Sequence, residues 1–96
     1  METTHLLALP QFCQLYDVKL TFIHSLHDYG LIEIITVEET QYVHNEHLRD
    51  LEKLIRLHYD LEINMEGIDV ISHLLKRVDE MQGELNRLRN SLGEGI

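Results

Sequence analysis

The chain has one cysteine, one proline and no tryptophan, and Lys19 is the only lysine or arginine before Arg49. Each scarcity excludes something. A lone Cys13 closes no intrachain disulfide and builds no cysteine-rich zinc module; between Phe12 and Tyr16 it is expected in a core. Unbroken apolar runs reach only a few residues, so no membrane span is expected. The first residues lack a basic segment followed by an apolar one, which points to a soluble, cytoplasmic protein. No glycine-rich phosphate loop, nucleophile with a placed base, or carboxylate pair in an apolar setting stands out, so the chain is expected not to be an enzyme and to need no cofactor. The shortage of basic residues counts most. Against 8 Lys+Arg stand 17 Asp+Glu, a formal charge of -9. Over residues 1–48, Lys19 faces Glu2, Asp17, Asp28, Glu33, Glu38, Glu39 and Glu46. Such a segment repels phosphate backbones and attracts basic surfaces.

What is present is mostly helical periodicity. Ile71, Leu74, Val78, Met81, Leu85, Leu88 and Leu92 recur at alternating steps of three and four, the a/d seam of a coiled coil. One helix from about Met65 to Leu92 is expected, about 40 Å long, with more apolar edge than a small head can cover. It therefore calls for a partner helix, and a homodimer is the natural reading. Glu84 and Arg89 would attract across a parallel pair, and the seam alone leaves direction open.

Upstream, Pro10 suits a first helical turn, with Leu9, Phe12, Cys13 and Tyr16 on one face. Leu20, Ile23, Leu26 and His27 form a second short helix ended by Gly30, so the two read as a helix-turn-helix. Residues 32–37 are rich in β-branched side chains, Glu38-Glu39-Thr40 is polar, and Gln41-Tyr42-Val43 resumes the extended pattern: a small β wing. Asn45 is a cap candidate for a third helix through Leu48, Leu51, Leu54 and Ile55, with Glu52 and Arg56 spaced as an ion pair. Asn64 is positioned to cap the long helix. Residues 1–5 are expected to be loose or at an edge. The division is then an acidic head, residues 1–63, and a long dimerisation helix, residues 64–96.

Seven histidines include His24-x-x-His27 and His44-x-x-His47. Structural zinc wants four ligands, and these would come from different elements, so solvated or hydrogen-bonded histidines are expected and no metal site is assigned. His58 and His73 lie beside apolar residues and are read as packing groups.

The order helix, helix, wing, helix, long helix, with Tyr29-Gly30-Leu31-Ile32 after the second helix and Leu61 to Ile68 opening the last, resembles the winged-helix MerR superfamily. The stretch from Tyr42 to Asp69, with Leu48, Leu51, Leu54, Ile55, Arg56, Leu57, His58, Tyr59, Asp60 and Leu61 before Gly67-Ile68-Asp69, is similar to the CbpM-like chaperone modulators within it. That resemblance implies a mainly α, MerR-like winged helix-turn-helix head with a small β wing, then a helix and a C-terminal coiled-coil dimerisation helix, paired antiparallel. It also implies an adaptor that binds the J domain of a DnaJ-like co-chaperone and inhibits it, the J domain carrying its chaperone contact on a basic helix. The alternative is a MerR-type DNA-binding transcription regulator. Such regulators place Arg then Tyr six and five residues before the Gly-Leu pair. Here those positions are His24 and Ser25, and the wing carries Glu38 and Glu39 in place of arginines. An acidic face complements a basic helix, which places the expected partner contact on Asp28, Glu33, Glu38, Glu39 and Tyr42, with Tyr42 as the aromatic anchor.

Overall fold

The computed structural model describes residues 5–93. In chain order they form strand β1 (Leu6–Ala8), helix α1 (Leu9–Tyr16), helix α2 (Leu20–Asp28), strands β2 (Ile35–Val37) and β3 (Thr40–His44), a 3-10 turn (Asn45–His47), helix α3 (Leu48–Ile55), a π-helical turn (Arg56–Asp60) and helix α4 (Met65–Ser91). Of the expected loose start, residues 1–4 lie outside the described residues.

Pro10 occupies the first turn of α1, where its missing N–H leaves no ladder bond unmade. The helix stops at Asp17, whose φ of 56° puts it in the left-handed region that aspartate tolerates better than most residues. The turn is closed by the Val18 N–H donating to the Cys13 carbonyl at 3.0 Å. Helix α2 ends as its glycine anticipates. Gly30 sits at φ 75°, its N–H donates to the His27 carbonyl and the Leu31 N–H to the Leu26 carbonyl, at 2.9 Å each, the paired bonds of a Schellman cap.

The wing is a three-stranded antiparallel sheet in the order β1-β3-β2. Ala8 and Ile35 flank Tyr42, Leu7 pairs with Val43, and Thr36 pairs with Gln41. Strand β1 answers to no sequence expectation, because Leu6-Leu7-Ala8 is too short to show a period and runs directly into helix. The β2 strand starts at Ile35, three residues later than expected: Leu31, Ile32 and Ile34 turn inward onto the core, and the Leu31 N–H is taken by α2.

The core draws on every helix. Leu9 and Phe12 from α1, Phe22, Ile23 and Leu26 from α2, Val43 from β3, Leu51 and Leu54 from α3 and Ile68 from α4 are buried, with Val18 of the turn beside them. Burying a side chain such as Phe12 or Ile23 contributes about 2 kcal/mol each. Cys13 is partly buried against this cluster, as expected, and the loss of water there raises its thiol above its ordinary value.

Helix α3 runs into a π turn, in which the Leu61 N–H reaches the Arg56 carbonyl five residues back at 3.1 Å. The turn delivers two rings to Phe22. His58 stacks on it with centroids 4.5 Å apart and Tyr59 meets it edge-on at 5.4 Å. Tyr59 Oη accepts the Lys19 N–H at the start of α2 (3.1 Å), and the His58 Nδ1–H donates to the Ile63 carbonyl (3.0 Å). His58 is thus a packing group. His73 is not. It lies on α4 beyond the core, largely exposed, with Nδ1 bonded to the Asp69 carbonyl of the same helix (2.8 Å). Asn64 caps α4, its Oδ1 accepting the Gly67 N–H at 2.8 Å. Glu52 holds Tyr16 (2.7 Å) in place of Arg56, the partner expected from spacing, and on α4 Glu84 pairs with Arg87 of its own helix.

Candidate interaction surfaces

Strand alternation gives the wing two faces. Leu7, Gln41 and Val43 point toward the helices: Val43 is buried, Leu7 packs on the core and the Gln41 amide meets the His24 imidazole at 2.9 Å. The register then puts Leu6, Ala8, Ile35, Val37, Thr40, Tyr42 and His44 on the opposite, outer face. Leu6, Ile35 and Tyr42 take no part in the core and do not pack on it.

The five residues expected to meet a partner fall around this sheet in three places. Tyr42 is central on the outer face, between Ala8 and Ile35. Glu38 and Glu39 form the two-residue tip between β2 and β3, with φ of 50° and 69°. Both positive angles make a type I′ hairpin turn, normally built from Asn-Gly; holding two glutamates there costs about 1 kcal/mol each. Glu33 is exposed in the connection from α2 to the wing, and Asp28 ends α2. Asp28 borders a shallow hollow on the helix side of the sheet with His24, His27, Thr36 and Gln41, so it does not share a face with Tyr42. Leu6, Ile35 and Val37 escaped sequence reasoning. Their i, i+2 spacing was readable in Ile35-Thr36-Val37, but which face they share with Tyr42 depends on strand register.

Helix α4 presents a second surface. Its first turns send Ile68 into the core and rest Met65 against it. Leu74, Val78, Met81, Leu85, Leu88 and Leu92 are all about half exposed or more, while Ile71 is partly covered. Between α3 and α4 lies an open cleft of about 480 Å³ with Leu54, Leu57 and Leu75 on its walls and Asp50, Lys53 and Lys76 at its rim. Near the root of α4 the Tyr29 hydroxyl donates to Glu66 Oε2 (3.0 Å), a bond that raises the tyrosine above its ordinary value, loss of water and the nearby carboxylates adding to it. Among the described residues no three of His, Cys, Asp and Glu converge as a metal site would require, and no helix is long and apolar enough to cross a membrane.

A helix pair joined by a tight turn, a three-stranded wing, and a long helix rooted in the same core define a winged helix-turn-helix regulatory protein of the MerR type. The model of the MerR HTH family of regulatory proteins matches residues 7–90, and the chain belongs to that family. Within it the chain is CbpM-like: it is 25% identical over 88 residues to the chaperone modulatory protein CbpM of Pseudomonas entomophila (strain L48), a match covering 91% of this chain and 87% of that protein. No solved structure matches the chain.

Proposed function

We propose that this protein is a homodimeric adaptor that modulates a DnaJ-like co-chaperone by binding and inhibiting its J domain. The observation that carries the reading is the absence of lysine and arginine from the DNA-reading parts of the fold. Residues 20–48, which hold α2 and the β2–β3 hairpin of the wing, contain none. Non-specific DNA affinity rests mainly on neutralising several phosphates, and one nearby lysine, Lys19, does not supply that. The similarity to CbpM supports the same reading. The head, residues 1–63, would meet the partner through Glu33, Glu38, Glu39 and Tyr42, with Asp28 adding to the acidic field. The helix of residues 64–96 would pair two copies along Ile71, Leu74, Val78, Met81, Leu85, Leu88 and Leu92.

Family membership alone fits the second reading, a MerR-type DNA-binding regulator, equally well. Fluorescence anisotropy with random-sequence duplex DNA at low salt separates the two. The adaptor shows no saturable binding, whereas micromolar, salt-dependent binding would sink the adaptor reading. In parallel, the purified chain should retain a J domain on a column, and the double change Glu38→Lys, Glu39→Lys should release it.

A further inference from the structure

The outer face of the wing sheet has the dimensions and the rim of a cradle for one helix. Neighbouring strands lie about 4.8 Å apart, so at Tyr42, where Ala8 and Ile35 lie on either side, β1 and β2 stand roughly 10 Å apart, the diameter of a helix with its side chains. The five residues of β3 extend about 17 Å, roughly three helical turns. Ala8, Tyr42 and Ile35 lie side by side on this face, with Leu6 beside His44 toward one end of β3 and Val37 beside Thr40 toward the other, and none of the five apolar residues belongs to the core. Half-covered apolar side chains set contiguously on one side of a small sheet lose water only when something is laid over them.

The rim decides what that something is. Glu33 stands before β2, and Glu38 and Glu39 cap the hairpin between β2 and β3. No lysine or arginine occurs from residue 20 to residue 48 to offset them. An occupant must therefore bring an apolar stripe for the paved centre and positive charge for its edges.

We propose that the outer sheet face docks a single amphipathic helix of the partner whose apolar stripe is flanked by Lys and Arg, with Tyr42 as the central anchor. The helix lies along β3, its apolar side chains on Leu6, Tyr42, Ile35 and Val37, and its cations reach Glu33, Glu38 and Glu39. This rests on the protein-binding reading above and deepens it, because it narrows the contact to the outer side of the wing and leaves Asp28 and α2 outside it.

The test is a titration of the 15N-labelled full chain with the J domain of a DnaJ-type co-chaperone. The expected result is perturbation of backbone signals at Leu6, Ala8, Ile35, Val37 and Tyr42, with the Gln41 side chain and the outer turns of α2 unmoved. Tyr42→Ser should weaken J-domain binding on the order of thirtyfold, as loss of an interface anchor does. Val37→Asp, at a more exposed position, should do the same with the thermal melt unchanged, which guards against a Tyr42 variant that folds poorly. Binding with perturbation confined to α2 or to the cleft between α3 and α4, or binding untouched by both variants, overturns this docking face alone. No J-domain binding by the wild-type chain overturns the adaptor reading and this proposal together. If the same sheet signals shift when the protein alone is diluted, the face joins copies of the chain and the proposal falls.

Discussion

The Tyr16 hydroxyl donates a 2.7 Å hydrogen bond to Glu52 Oε2, tying α1 to α3 across 36 positions of sequence. Phe12 stacks on the same ring from the preceding turn, centroids 4.5 Å apart, so the phenol is held on both its apolar and its polar side. Tyr16→Phe keeps the stack and removes the bond, and should cost about 1 kcal/mol in urea unfolding at neutral pH.

The same pair makes a pH prediction. The bond to Glu52 is the main reason Tyr16 titrates above its ordinary 10.0, with loss of water and the carboxylate's charge adding to it. The folded state therefore favours the neutral phenol. Its contribution is complete below the ordinary value and is lost as pH rises through that value toward the raised one. Wild-type stability should fall on the alkaline side of pH 10.0 more steeply than that of Tyr16→Phe, measured by denaturant midpoints across that range. Tyr29, bonded to Glu66, acts in the same direction, so Tyr29→Phe should flatten the remaining slope.

The wing tip should be easy to improve as a turn. Glu38→Asn with Glu39→Gly supplies the residues that two consecutive positive φ angles favour, and should raise stability by about 1 to 2 kcal/mol in thermal or urea unfolding. If the glutamates serve a partner, the stabilised variant should hold a J domain less well than the wild type. A more stable protein with undiminished binding would remove the tip from the contact.

At the root of α4, Gly67 leaves room for its cap. A Cβ there would come within 2.6 Å of Ile63 Cγ2 and 3.1 Å of Asn64 Oδ1. Gly67→Ala should therefore destabilise despite alanine's better helix propensity, and by more than the roughly 1 kcal/mol expected for Asn64→Ala, which removes the cap bond without the clash.

Leu85→Asp tests the stripe of α4. Leu85 is about half exposed in the single chain, so the aspartate leaves the head's core untouched. In a paired seam it would bury a charge. Sedimentation equilibrium should give a dimer for the wild type and a monomer for the variant, with the near-ultraviolet signal of the head retained. A monomeric wild type would end the pairing proposal.

The helices were legible because each shows several apolar residues at steps of three and four, and the long one because its steps persist from Ile71 to Leu92. Turn chemistry marked the end of α2 at Gly30 and the cap at Asn64. Three features left no such trace. Strand β1 is three residues long, below any period. The tip of the wing has no glycine or asparagine to announce positive φ, only Glu38 and Glu39. The π turn differs from an α-helix by one hydrogen-bond step, and Arg56-Leu57-His58-Tyr59-Asp60 carries no residue that demands it. The acidity of the head was legible in composition, and the shape of its sheet face was not. Tyr42 stood out as an aromatic, but Ala8 and Ile35 become its neighbours only through strand register, Ala8 from a strand distant in sequence.

That π turn amounts to one surplus residue in the winding of α3, and it sets an angular phase. A residue advances an α-helix by about 100°. Deleting one from Arg56–Asp60 and letting the turn relax to α would swing the following side chains around the axis by that amount. Tyr59 would leave both Phe22 and the Lys19 amide, and His58 would give up its stack. The spacing between Leu54 and Ile63 is thus a setting for how the head is keyed to its long helix, and a one-residue change of length there should disturb the protein more than most substitutions within it.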